Sequence, residues 1–312
     1  MRRKQKILVT GSAGYIGFSL KERYGARFSF IDYDIKENRK NDVRDLSRLK
    51  RAIKGVDGVI HFAAISRPKW GYEDPYTCLS TNIMGTANVL EAVRKVNPKA
   101  WVILGSSREV FGDLKKLPGD EKSPRRPLNA YGVSKVCGED LLKQYAANYG
   151  LRCLTLRFCG VYTGKRDIPE RVVPRFIKEA LRGRTIFVEG NGRKKFFDFV
   201  YINDALDGIV RAMRYASFKK GGFYDDITLA ANSPVSIYNL ARLIILFVGS
   251  RSGIKFIKNR SYDQSGFWGK YDKAKKLLGW RPKIRMKEGL KRAISELKPL
   301  IKGGRYNMRS KN

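Results

Sequence analysis

The sequence predicts a doubly wound, parallel α/β sheet with a smaller α/β substrate domain interleaved toward the C-terminus, and three observations carry that prediction. Short β-branched runs alternate with helical stretches over residues 6–158. The first run is followed at once by glycines at positions 11, 14 and 17, so strand, tight turn and helix come in succession. After Tyr162 the rhythm changes to shorter elements.

Taken in order, residues 6–10 form a strand, 11–17 a glycine turn, and a helix runs to about Tyr24. Strands are then expected at 28–32, 58–62, 100–105 and 153–158, with helices at 46–53, 77–96 and 129–149 between them. Strictly alternating strands and helices give parallel strands joined by crossovers. Beyond Tyr162, a helix at 169–182, a strand at 186–188 and the turn Gly190-Asn191-Gly192 lead into a strand at 197–201. A helix at 203–215 and a strand near 223–230 return to the large sheet, and helices at 237–247, 272–278 and 286–297 complete a cap. The expected division is 1–165 plus 197–232 for the large domain, 166–196 plus 233–302 for the cap, and a basic tail at 303–312.

Hydrophobic residues make up 43% of the 312, and aromatics 12%, which is globular composition and excludes a disordered chain. The apolar stretch 240–249 is half a membrane span and carries Arg242, so no membrane span is expected. The basic start lacks an apolar core behind it, which points to a retained N-terminus and a cytoplasmic protein. Four scattered cysteines and a single histidine, His61, offer neither a disulfide framework nor a metal site. His61 reads as a packed residue. Lys and Arg number 64 against 29 Asp and Glu, a net charge of +35. Attraction to polyanions, a generally basic proteome or the drawing-in of an anionic substrate would each explain it. Its even spread from Arg2 to Lys311 favours a general surface property.

Two constellations carry chemistry. In Gly11-Ser12-Ala13-Gly14-Tyr15-Ile16-Gly17, Gly11 permits the turn, Gly14 admits a pyrophosphate to the helix N-terminus, and Gly17 lets helix and strand pack closely. Asp32 ends the second strand, 21 residues after Gly11, where a carboxylate accepts hydrogen bonds from ribose hydroxyls and repels a 2′-phosphate. NAD is therefore expected over NADP. The second is Tyr131-Gly132-Val133-Ser134-Lys135, with Tyr131 and Lys135 on one helical face. An ammonium there can lower the phenol's pKa and let Tyr131 take a proton from a substrate hydroxyl. Because open α/β sheets bind ligands at the carboxyl ends of their strands, Ser107, Tyr131 and the nicotinamide are expected around one cleft.

The stretches TGSAGYIG, DVRD, HFAA, NIMGTANVLEA, SSREVFG, YGVSK, LRFCGVYTG, FDFVYINDA and DKAKKLLGWRP occur in the order seen in extended short-chain dehydrogenase/reductases, and the chain resembles their NAD-dependent epimerase/dehydratase branch from about Lys6 to Leu297. The resemblance implies a Rossmann domain, tightly held NAD, a cap gripping a nucleotide diphosphate sugar, and a homodimer paired through helices 81–96 and 131–149. It also implies that Asp42 and Val43 flank the adenine, that Phe62, Ala63 and Ala64 line the cofactor, that Asn82 stabilises the site, and that Ser107 bonds the sugar hydroxyl beside Tyr131.

Departures concern the substrate. Relatives commonly carry Asn where this chain has Gly160, and Arg where it has Phe197. Arg193, Lys194, Lys195 and Arg260 could supply the missing charge, and Arg67 opens a basic, aromatic loop, 67–72, that could clamp substrate or merely cover the helix behind it. The resemblance implies a nucleotide-sugar 4-epimerase acting through a transient 4-keto intermediate. The alternatives are a 4,6-dehydratase or decarboxylase using Glu109, and a Rossmann relative that binds RNA without catalysis, the weaker reading because Ser107, Tyr131 and Lys135 are all present.

Overall fold

The computed structural model describes residues 3–303. Strand β1 (Lys6–Thr10) leads through the glycine turn to helix α1 (Tyr15–Tyr24) and strand β2 (Ser29–Tyr33); α2 (Leu46–Ile53) and β3 (Gly58–His61) follow. Ile7 and Val9 pack into one hydrophobic layer and Leu8 into the other, so β1 is covered on both faces, as a central parallel strand must be. Two short helices, α3 (Pro68–Glu73) and α4 (Pro75–Leu79), precede α5 (Gly85–Val96), and β4 (Trp101–Ser107), α6 (Ala130–Tyr149) and β5 (Arg152–Phe158) complete the first half. The later elements are β6 (Gly160–Tyr162), α7 (Val172–Leu181), β7 (Ile186–Glu189), β8 (Phe196–Phe197), β9 (Phe199–Tyr201), α8 (Ile202–Ser217), β10 (Tyr224–Leu229), β11 (Val235–Ser236), α9 (Ile237–Val248), β12 (Ile254–Ile257), α10 (Asp272–Leu278) and α11 (Met286–Lys302).

Six strands form one parallel sheet in the order β10-β5-β4-β3-β1-β2, a Rossmann arrangement. The chain winds outward from β1 in both directions, which opens a crevice at the carboxyl ends of β1, β3 and β4. The late strand β10 returns to the sheet edge, in parallel register with β5. Small strand pairs build the remainder: β6 with β9, β7 with β12, and β8 with β11.

Besides short elements that were not expected, α3, β6 and β11, the structure differs from the expected elements as follows. The helix expected over 77–96 is present but widens into a looser turn at Ser80–Met84, whose Asn82 points inward. The strand expected at 197–201 is cut at Asp198, because the buried Asp198 carboxylate accepts the backbone N–H groups of Ala231, Asn232 and Ser233. Residues 254–257 form a strand that alternation does not reveal, since Lys255, Phe256 and Ile257 are all exposed. The second strand ends at Tyr33, one residue later than expected. The tail expected beyond residue 303 lies outside the described residues.

Candidate active site

Three glycines shape the cofactor end. Gly11 has φ +72°, and a Cβ there would stand 2.5 Å from the Ala63 nitrogen. A Cβ at Gly17 would stand 2.7 Å, and one at Gly14 3.1 Å, from the Gly11 carbonyl oxygen. No side chain caps the N-terminus of α1, so its first N–H groups remain for a bound anion. This cradle fits a dinucleotide pyrophosphate. Gly11, Gly14, Tyr15, Ile16, Gly17, Phe62 and Ala64 line a cleft of about 350 Å³.

Tyr131 and Lys135 line the same cleft, whereas Asp32, Asp42, Val43, Ala63 and Asn82 are not part of its lining. Ala63 donates its N–H to the Thr10 hydroxyl (3.3 Å), and Val43 is buried against Gly85. The Arg44 guanidinium holds the Asp42 carboxyl below its ordinary range, its side-chain hydrogen bond outweighing partial burial. Asp32 stands on β2, one residue before its end. It faces α1, half-exposed, and pairs with Lys21. The acid that meets the turn is Asp34, buried, accepting the N–H groups of Ala13 (3.0 Å) and Lys36 (2.9 Å). The signal was present in the sequence as a second acid two residues on, just past the strand.

Asn129 caps α6 by accepting the Gly132 N–H at 2.9 Å, which fixes Tyr131 in the first turn. The Ser107 hydroxyl accepts the Glu109 N–H at 3.2 Å and lies close enough to Tyr131 to favour its ionised form. Lys135 donates to the Gly105 carbonyl (2.8 Å), with its nitrogen 5.7 Å from the centre of the Tyr131 ring. Burial decides both pKa values. It pushes the Tyr131 phenol up, against the pull of the Ser107 hydroxyl, and brings the Lys135 ammonium down to about 8. The expected lowering of the phenol by Lys135 is therefore not met in the protein alone, because a desolvated pocket disfavours both charges.

Beneath this pair His61 is packed, as expected, but against hydroxyls and not backbone. Its Nδ1 lies 2.7 Å from the Thr10 hydroxyl and its Nε2 3.1 Å from that of Thr86. Thr86 donates to the Asn82 carbonyl oxygen (2.6 Å), so its oxygen accepts, and the imidazole proton sits on Nε2. Burial, then Lys135, brings His61 down to about 3. Asn82 clamps both backbone groups of Ile65 (2.8 and 3.0 Å) and donates to Ser134 on α6 (2.8 Å), placing it behind the site.

At the substrate end the cleft is lined by Arg67, Gly160, Arg260, Ser107 and Glu109. Lys194 is exposed and outside; its neighbour Lys195 is buried in the lining. Lys194 closes a turn, donating its N–H to the Asn191 carbonyl (3.0 Å), and Lys195 follows it just before β8. A Cβ at Gly160 would stand 2.9 Å from the Asp198 carbonyl oxygen, so the β6–β9 pairing leaves no room for Asn there. The stretch expected as a loop is helix α3 with Arg67 at its N-cap; Arg67 lies over Trp70 and reaches Glu170 (3.5 Å), which makes the start of α3 a wall of the cleft. Arg108 also lines it, with residues that local sequence pattern did not single out, among them Arg171, Arg175, Glu189 and Gln264. Glu189 holds Arg175 through two 2.8 Å bonds and Arg260 through one of 2.6 Å.

Comparison with known proteins accords with this geometry. The model of the NAD dependent epimerase/dehydratase family matches residues 7–225. A UDP-glucuronate 4-epimerase of Thermodesulfobacterium geofontis is 30% identical, over 92% of this chain and 94% of its own. Among solved structures, the UDP-glucose 4-epimerase of Thermotoga maritima with UDP-glucose is 26% identical, with a TM-score of 0.84 over 94% of this chain and 98% of that one. The UDP-glucuronic acid 4-epimerase of Bacillus cereus, in complex with UDP-glucuronic acid and NAD, is also 26% identical, with a TM-score of 0.84 over 95% of this chain and 100% of that one. The chain belongs to the NAD-dependent epimerase/dehydratase family.

Proposed function

We propose that this protein is a nucleotide-sugar 4-epimerase. The observation that carries the reading is the closeness of the Ser107 and Tyr131 hydroxyls in the cleft that starts at the glycine turn. NAD, when bound, supplies a hydride acceptor and donor and, while oxidised, a positive charge that opposes the upward push of burial on Tyr131. Ser107 holds the substrate's 4-hydroxyl by hydrogen bonding. The Tyr131 oxygen takes the proton of that hydroxyl as C4 is oxidised and returns it when the 4-ketone is reduced on its other face. Lys135, anchored on the Gly105 carbonyl, keeps its remaining N–H groups for the cofactor side and for Tyr131. In this reading residues 166–196 plus 233–302 grip the nucleotide.

Incubation with UDP-, GDP-, dTDP- and CDP-sugars, followed by mass spectrometry and chromatography, tests the proposal. An isomer of unchanged mass is the expected product, and no turnover of any of them would reject it. A specific observation keeps a second reading: Glu109 is buried in the same cleft wall, where a 4,6-dehydratase or decarboxylase would use it.

The homodimer expected from the family is also proposed. Met84, Val96, Val133 and Tyr149 are exposed apolar residues on or beside α5 and α6, and light scattering at a single chain's mass would reject the pairing. A cytoplasmic location is supported by four free cysteines, three of them buried. No helix among the described residues is long and apolar enough to cross a membrane.

A further inference from the structure

One guanidinium in the cleft, that of Arg108, lies outside the arginine cluster of the cap and has the buried Lys195 as its cationic neighbour. Arg260 and Arg175 share the Glu189 carboxylate, and Arg67 feels Arg171 and Arg260, so these four belong to one cluster on the cap side. Arg108 instead follows Ser107 directly, on the turn Arg108–Val110 that closes β4. Its guanidinium is held in place by three contacts. It lies 4.3 Å from the centre of the Phe197 ring, donates to the Gln264 side-chain oxygen at 2.8 Å, and faces the Glu109 carboxylate at 3.3 Å. About a fifth of the side chain remains exposed, and it lines the cleft.

A guanidinium has five N–H donors in a rigid fork, and these contacts leave several of them unused. The catalytic hydroxyls fix where the sugar lies. When its 4-hydroxyl sits at Ser107 and Tyr131, the ring carbons beside C4 are C3, which carries a neutral hydroxyl, and C5, which carries C6. A neutral C6 hydroxymethyl offers one oxygen and no charge to Arg108. A C6 carboxylate offers two oxygens that match the fork and a charge that balances it. Glu109 is a poor permanent counter-ion, because burial pushes its carboxyl up more than Arg108 pulls it down. A second carboxylate nearby would favour its neutral form further.

We infer that the substrate is a nucleoside-diphosphate hexuronate and that Arg108 is the residue that recognises its C6 carboxylate. The inference rests on the 4-epimerase reading, since it takes the position of the sugar from Ser107 and Tyr131.

The test measures dissociation constants of UDP, UDP-glucose and UDP-glucuronate by calorimetry in the Tyr131→Phe protein, which holds ligands without turning them over. UDP-glucuronate should bind about 10- to 100-fold tighter than UDP-glucose, the range of a charge-assisted hydrogen bond. Adding Arg108→Met should abolish that advantage while leaving UDP and UDP-glucose within about threefold, on the same basis. Bound NAD and thermal midpoint report that the variant is folded. Glu109→Gln, a milder change, should widen the preference for the uronate, because it removes a repelling carboxyl and keeps the shape. Equal affinity for the two sugars in the Tyr131→Phe protein would overturn the inference, as would an equal loss of all three ligands in Arg108→Met, which would put Arg108 on the diphosphate. The two readings fail differently in the unmodified enzyme. Epimerisation of UDP-glucose as efficiently as UDP-glucuronate rejects the inference alone, whereas a binding preference for the uronate without turnover of either rejects the epimerase reading.

Discussion

Asp34→Ala and Asp32→Ala, compared side by side, decide which carboxylate reads the cofactor ribose. Asp34 is buried at the glycine turn with both oxygens already placed by backbone N–H groups, and each oxygen keeps a lone pair for a ribose hydroxyl. Hydrogen bonds to a charged acceptor contribute about 1.5–3 kcal/mol each, so losing even one should weaken NAD about 10- to 100-fold. NADP should not weaken in parallel, because the same change removes the charge that repels its 2′-phosphate. Asp32 is half-exposed and engaged with Lys21 on the outer face of α1. A surface pair of this kind is worth about 0–1 kcal/mol, so Asp32→Ala should alter NAD affinity by no more than about threefold. Calorimetric titration of cofactor-free protein with each dinucleotide measures both. A larger loss in Asp32→Ala than in Asp34→Ala would refute the assignment, and equal affinities of the unmodified protein for NAD and NADP would refute the role of any carboxylate there.

Tyr131→Phe should lower turnover about a hundred- to ten-thousand-fold with bound NAD unchanged, the contribution usual for a general acid/base; near-normal turnover would sink the mechanism. His61, as the sole histidine, should stay neutral with its proton on Nε2 down to about pH 3, where its folded pKa lies. Since that value is depressed, the unfolded chain takes up a proton that the folded one refuses, and stability from this group is lost as pH falls from about 6.5 toward 3. A nitrogen-detected magnetic resonance titration with a midpoint near 6.5 in the folded protein would contradict the geometry. Glu109→Gln should affect epimerisation only modestly, with product mass equal to substrate mass; a product lighter by water or carbon dioxide, and abolished by this substitution, would favour a lyase.

Most of the large sheet was legible because parallel strands covered on both faces must be short apolar runs, and the gaps between them are long enough only for helices. The glycine turn and the Tyr131/Lys135 pair were legible for the same local reason: one turn and one helical face each hold a whole constellation. What the sequence hid depends on register or on convergence. Asp34, whose carboxylate accepts from the glycine turn, stands just past the end of β2, two residues beyond the Asp32 that the spacing picks out. The turn that ends at Lys194 decides that Lys195, and not Lys194, enters the cleft. Arg175, Glu189 and Arg260 come from α7, β7 and the segment after β12, so no spacing in the sequence announces that one carboxylate will hold two guanidinium groups. The Ser80–Met84 turn escaped notice because its purpose is tertiary: the bulge turns Asn82 toward Ile65 and Ser134.

The pair Arg108 and Glu109 bears on what the cleft does with a 4-ketone once it exists. Loss of water across C5 and C6 needs a group that removes the C5 proton and an acid that protonates a departing 6-hydroxyl. Glu109 fits the first role by burial and position, but an always-charged guanidinium cannot fill the second, and on a hexuronate there is no 6-hydroxyl to leave. The competing loss from a 4-keto hexuronate is carbon dioxide, because the carboxylate then stands β to a carbonyl. That step spends the negative charge of the carboxylate by moving its electrons into the C5–C4 system. A cation bound to the carboxylate stabilises the starting anion more than the transition state in which its charge is leaving, so it raises the barrier. Arg108, held by the Phe197 ring and Gln264, cannot readily follow that charge toward C4. The same side chain that selects an acidic sugar therefore protects the ketone made from it, and return of the proton from Tyr131 becomes the easier way out of the intermediate.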